Sequence, residues 1–198
     1  MDNNSGLQKD DFQKYLPDGE TKEHHLTEVL YNTKTNAKEL SDSLIDCDEV
    51  YPRIYIGDAA AAKDKKYLKM LGITHVLNAA EGKKFGFVNT GQNYYLDTGM
   101  KYLGFPLADL PVVDISKYFY DAASFIDEAV SSNGKIVVHC MVGLSRSATC
   151  VLAYLMIKKN MLAVDAIRIV RENRGIHPNY GFLHQLAQLD NQLRRQRL

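Results

Sequence analysis

Residues 135–160, KIVVHCMVGLSRSATCVLAYLMIKKN, restrict the fold more than any other stretch. KIVVHC is a short β-branched run that reads as a strand, and SRSATCVLAYLMIKKN, apolar on most faces, reads as a buried helix. Only the glycine-bearing turn MVGLS separates them. A helix that starts so soon after a strand brings its unpaired amides and the positive end of its dipole to the strand's C-terminal edge. Those are the parts of a phosphate cradle.

The flanking sequence supplies a sheet for that strand. From Val50, VYPRIYIG reads as a strand, AAAAKDKKYLKMLG as a helix ending at Gly72, and THVLNAA as a second strand. A polar loop, EGKKFGFVNTGQNYYLDTG, leads to a third strand, KYLGFPL, and a linker, ADLPVV. The next helix starts near Asp114 and turns Tyr118, Phe119, Ala122, Phe125, Ile126 and Val130 inward. LAVDAIRIVRENRG and NYGFLHQLAQLDNQLRRQRL are two closing helices, with Gly175 and Pro178 punctuating between them. Alternation of this kind predicts an α/β sheet covered by helices. A chain of 198 residues suits one well-cored domain, expected over 47–198. Residues 1–46 are expected to be a polar, partly helical appendage, with Leu26, Val29, Leu30 and Leu40 in a helix from His25 to Leu40.

Charge and composition narrow the partners. Lysines plus arginines equal aspartates plus glutamates at 24 each, so no overall field argues for nucleic acid or membrane. Residues 1–46 hold ten acids and five lysines, which leaves −5 there and +5 on the rest, so an anionic substrate meets a mildly basic domain. No apolar run is long enough to span a bilayer, and MDNNSGLQKDDFQKYL lacks the basic start and apolar centre of a secretory signal. A soluble protein of the cytoplasm or nucleus is expected. Cys47, Cys140 and Cys150 are too widely spaced for a disulfide framework, which allows a reactive thiol in a reducing compartment. The histidines are too scattered to suggest zinc, and no metal or cofactor is expected.

The chemistry sits in His139-Cys140-Met141-Val142-Gly143-Leu144-Ser145-Arg146-Ser147, where Cys140 and Arg146 stand six apart. That spacing alone is common by chance. Its context gives it meaning: the strand ends at the cysteine, the helix begins at the arginine, and the residues between are small or apolar. A loop curled with its amides inward offers a phosphate several N–H donors, Gly143 permits the turn, and Arg146 can present its planar fork to two oxygens. The same donors stabilise a Cys140 thiolate, the attacking species, and Ser147 can hydrogen-bond the sulfur as it leaves. Each residue also has an ordinary structural role open to it. Cys140 can be a small buried hydrophobe, Arg146 a surface ion pair, Gly143 a plain turn and Ser147 a helix cap. His139 is expected to shape the loop rather than to move protons.

HCMVGLSRS resembles the signature loop of dual-specificity protein phosphatases, His-Cys-x-x-Gly-x-Ser-Arg-Ser, and THVLNAAEG, ADLP, AYLM and NRGIHPNYGFLHQL resemble further pieces of small atypical members related to the vaccinia virus phosphatase. The likeness runs from about Cys47 to about Leu193. It implies a central, mostly parallel sheet of about five strands flanked by helices. It also implies hydrolysis of phosphotyrosine, phosphoserine and phosphothreonine through a phosphocysteine, without metal. Loop positions Met141, Val142, Gly143, Leu144 and Ser145 would surround the phosphate with Arg146. A general acid is implied about thirty residues before the nucleophile, where Asp109 stands; Asp114 competes but is better explained as a helix-start charge. Arg174, between the last helices, falls where related enzymes carry a basic residue that meets a second substrate phosphate; it can equally be a C-terminal helix charge. The uncharged side chains of Met141, Val142 and Leu144 disfavour phosphoinositides. The partner implied is a phosphoprotein substrate, protein kinases being among the candidates.

Overall fold

The computed structural model describes residues 19–36 and 46–197. Its sheet has five strands, β1 (Cys47–Tyr51), β2 (Ile54–Gly57), β3 (His75–Asn78), β4 (Lys101–Gly104) and β5 (Ile136–His139), in the order β1-β2-β5-β3-β4. β1 runs antiparallel to β2 and the other neighbours are parallel. The helices are α1 (Glu23–Asn32), α2 (Ala59–Lys63), α3 (Lys65–Leu71), α4 (Phe119–Ser131), α5 (Arg146–Lys158), α6 (Ala163–Asn173) and α7 (Tyr180–Arg197). β5 lies in the centre, paired on both sides with β2 and β3, so its C-terminal end opens between the ends of two parallel neighbours. Ligands of such sheets bind at that edge.

Alternation along β5 divides the interior. Ile136 and Val138 join the large core beneath α4, α5, α6 and α7, while Val137 joins a smaller cluster with Tyr55, Leu68, Ile73, Val76, Tyr95 and Met100 on the other face. α5 is buried along almost its whole length, from Arg146 to Met156. A helix so placed is held between sheet and helices, and its first turn is as buried as the core.

Three details differ from the sequence expectation. VYPRIYIG is a hairpin, because Pro52 has no N–H to extend a ladder and Arg53 adopts a left-handed φ of 70°, its amide donating to Glu49 Oε1 at 2.8 Å. AAAAKDKKYLKML breaks at Asp64, whose carboxylate accepts from the Tyr67 amide at 2.8 Å and starts a second helix. The helix expected near Asp114 begins at Phe119, after a 3-10 turn over Ser116–Tyr118, ahead of which Asp114 accepts from the Ser116 amide at 3.1 Å.

The N-terminal helix packs on the α/β fold. Leu26, Val29 and Leu30 of α1 are buried in the main core against α6 and α7, and each such side chain contributes about 1.5–3 kcal/mol. Thr21 donates to the buried Asp190 at 2.6 Å, and Asp190 also accepts from the Ala163 amide at the start of α6. Leu40 and the rest of 37–45 lie outside the described residues.

Candidate active site

β5 ends at His139 and α5 starts at Arg146, so residues 140–145 form a tight loop over the N-terminus of α5. Gly143 has φ 76°, and a Cβ there would stand 2.6 Å from the Gly57 carbonyl oxygen and 2.7 Å from Arg174 Nη2. Both the backbone conformation and the contact therefore require glycine. Cys140 is 1% exposed. Its Sγ lies 3.3 Å from Ser147 Oγ and accepts the Gly143 amide at 3.2 Å. Burial pushes the Cys140 thiol up, but the hydroxyl and amide of Ser147, the Arg146 charge and the Gly143 amide outweigh it and hold the thiol below its ordinary value. Cys150, deeper along α5, has no such donors, and burial pushes it up to about 12.

Arg146 is 4% exposed. Nη1 donates to the carbonyls of Gly86, at 2.9 Å, and Leu107, at 3.0 Å, which fixes one edge of the guanidinium. The buried Nε finds no hydrogen-bond partner among the described residues and lies 3.6 Å from Asp109 Oδ2. Gly86 belongs to the loop after β3, so that polar loop, whose Phe85 is fully exposed, is tethered to the arginine.

Asp109 is oriented by two donors, the Ser145 hydroxyl and the Asn179 amide nitrogen, both at 2.8 Å from Oδ1. Oδ2 is left toward Arg146. Asn179 was not among the residues the sequence singled out. It stands just ahead of α7, and its Oδ1 accepts the Phe182 amide at 3.0 Å while its nitrogen reaches Asp109. The signal was an asparagine between Pro178 and a helix, which reads as a cap and hides the second bond. Asp114, the competing acid, is exposed and engaged with the amide and hydroxyl of Ser116, whose hydrogen bonds hold it below the usual carboxylate value.

Other loop residues sort by direction. Met141 and Val142 are exposed, Leu144 is half-buried, and Ser145 is buried with its hydroxyl on Asp109. Ser147 does not cap α5, since the cap position is Ser145 and the Ser147 hydroxyl faces the sulfur. His139 is buried; its Nδ1 lies 3.3 Å from the Cys140 carbonyl oxygen, so that nitrogen carries the proton, and burial pulls its pKa down to about 4. Arg174 departs from expectation. It is 2% exposed, its guanidinium is spent on Asp46, Asp48 and the carbonyls of Val142 and Gly143, and no donor remains to meet a second substrate phosphate.

Residues 54–192 match the family described as dual specificity phosphatase, catalytic domain. A mouse putative dual specificity phosphatase crystallised with zinc tungstate is 27% identical, with TM-score 0.68 over 80% of this chain and 95% of that one. The human tyrosine phosphatase-like serine/threonine/tyrosine-interacting protein is 32% identical, with TM-score 0.64 over 74% of this chain and 96% of its own. Human DUSP28 is 26% identical, with TM-score 0.67 over 78% and 99%. The chain belongs to the dual specificity phosphatase family, within the cysteine-based protein tyrosine phosphatase superfamily. It is a protein phosphatase acting on phosphotyrosine and on phosphoserine and phosphothreonine, and a phosphocysteine intermediate is typical of its family. Among the described residues no helix is long and apolar enough to cross a membrane.

Proposed function

We propose that Cys140 is the nucleophile, Arg146 the phosphate clamp, Asp109 the general acid and base, and Ser147 the donor that eases departure of the thiolate. The observation that carries this is the sulfur's surroundings: one buried Sγ takes donors from Gly143 and Ser147 beside an Arg146 whose Nε has no hydrogen-bond partner among the described residues and pairs at 3.6 Å with Asp109. In the first step Sγ attacks phosphorus in line, an S–P bond forms as the ester P–O bond breaks, and Asp109 gives its proton to the leaving oxygen. Arg146 and the loop amides take the equatorial oxygens. In the second step Asp109 removes a proton from water, which attacks phosphorus while the S–P bond breaks and inorganic phosphate leaves. Ser147 then donates a hydrogen bond to the released thiolate.

Around this centre Phe85, Leu110, Val112, Met141 and Val142 are exposed and uncharged. The uncharged loop side chains Met141 and Val142 suit a polypeptide better than a multiply charged headgroup, and phosphorylated signalling proteins of the cytoplasm or nucleus, kinases among them, are the substrates we assign. Cys140→Ser should keep phosphate-analogue binding and lose essentially all turnover, whereas activity above a few per cent of the parent rate would place the nucleophile elsewhere. The acid is tested through the leaving group. Asp109→Asn should slow phosphotyrosine peptides by about a hundredfold, less for a strongly activated aryl phosphate, and should flatten the alkaline limb of kcat/KM. Equal slowing of all leaving groups, with the selective loss seen in Asp114→Asn, would reassign the acid to Asp114.

A further inference from the structure

We infer that Arg174 is a positioning residue: held by Asp46 and Asp48, it keeps the Val142 and Gly143 carbonyls on the outer side of the loop and so aims the amides of Gly143 and Leu144 at the phosphate. This rests on the loop being the phosphate site.

A trans peptide is planar, with its C=O and N–H pointing opposite ways. Pinning a carbonyl outward therefore turns the next residue's amide inward. Five successive loop carbonyls are pinned. Cys140 O faces His139 Nδ1 at 3.3 Å, Met141 O accepts the Ala59 amide at 3.1 Å, and Leu144 O accepts the His177 amide at 2.8 Å. The two between them, Val142 O at 3.4 Å and Gly143 O at 2.8 Å, are both held by one side chain, through Nη2 and Nε of Arg174. The Gly143 amide, which follows the Val142 carbonyl, does reach Cys140 Sγ, as the plane requires. These two peptides flank the glycine, where a backbone flip meets the least steric resistance, so they are the part of the loop that most needs an external hold.

Arg174 is itself aligned without slack. Its five N–H groups go to Gly143 O, Val142 O, both oxygens of Asp46 (2.7 and 2.6 Å) and Asp48 Oδ2 (2.6 Å). Two carboxylates against one guanidinium leave no cationic surface for a substrate. Hydrogen bonds and the charges of Asp46 and Asp48 outweigh burial and raise the pKa of Arg174, so it stays charged at any working pH. Asp46 and Asp48 precede the family match, which begins at residue 54, so this chain completes its loop with residues contributed from outside the matched region.

The test compares the parent with Arg174→Lys, which keeps the charge but cannot hold two carbonyls and two carboxylates in a plane. A triple variant, Arg174→Met with Asp46→Asn and Asp48→Asn, removes the charges together and guards against misfolding from unpaired aspartates. Two quantities are measured on each after thermal melting confirms folding: tungstate affinity by calorimetry, and the pH dependence of Cys140 alkylation by iodoacetamide. The expected result in both variants is a loss of tungstate affinity of about tenfold, with the alkylation midpoint moved to higher pH. Unchanged affinity and midpoint would overturn the inference, above all if the only defect were a raised KM for doubly phosphorylated peptides, since Arg174 would then be touching substrate. If the parent itself bound no tungstate, the phosphate-site reading and this inference would fall together.

Discussion

Arg146, at the end of the loop, and Arg174, bonded to its carbonyls, are both buried, 4% and 2% exposed, yet they have different work. Arg146 is tied down at Nη1 by two carbonyls, and its Nε, ion-paired with Asp109, has no hydrogen-bond partner among the described residues. Arg174 has every N–H committed to the protein. A buried arginine's function follows from the donors its neighbours leave unused, and those neighbours come from remote parts of the chain. Gly86 and Leu107 fix the first arginine; Asp46 and Asp48 fix the second.

The sharpest way to break this contrast is to replace each arginine by lysine. Arg146→Lys should lower kcat/KM for a phosphotyrosine peptide by about a thousandfold, through both kcat and KM, because the lost bonds are those to the transferring phosphoryl group. Arg174→Lys should cost about tenfold, since it misaligns donors without removing them. Equal losses would erase the distinction. Asn179→Ala should also lower turnover of phosphotyrosine peptides by about tenfold, through Asp109 alone, and leave tungstate affinity at the parent value; weaker tungstate binding would tie Asn179 to the loop instead. The smallest effect concerns the buried His139. Its pKa is lowered from 6.5 to about 4 by burial, so the unfolded chain binds a proton that the folded chain refuses. Its share of stability is then full above pH 6.5 and declines as pH falls toward 4, with a slope of about one proton. Urea unfolding at pH 7.5 and pH 5 measures it, and a flat profile would mean that His139 accepts a proton in the folded loop.

Much of this was legible in the chain. KIVVHC, MVGLS and the helix after them lie within a few residues of one another, so strand, turn and helix follow from local propensity, and Cys140, Gly143, Arg146 and Ser147 fall within eight positions. Gly72 ends α3 with a left-handed φ of 76°, as its position suggested. Reading one strand through Pro52 and one helix through Asp64 failed where a single residue outweighed the window around it. The packing of α1 into the core was not legible because Leu26, Val29 and Leu30 are a short stripe whose partners, α6 and α7, stand more than a hundred residues away.

By itself the sequence determined most of the elements though not all their bounds, the alternation that makes a parallel sheet, and the strand–loop–helix with its thiol and arginine, because these are set by neighbours in the chain. Only the tertiary structure decided which of Asp109 and Asp114 faces the loop, that Asn179 and Ser145 orient that carboxylate, and that Arg174 turns inward to two aspartates rather than outward to substrate. The reason is physical: hydrogen-bond partners of a buried polar group must be found within about 3 Å in space, and their separation along the chain, here 126 and 128 residues for Arg174, leaves no trace in local pattern.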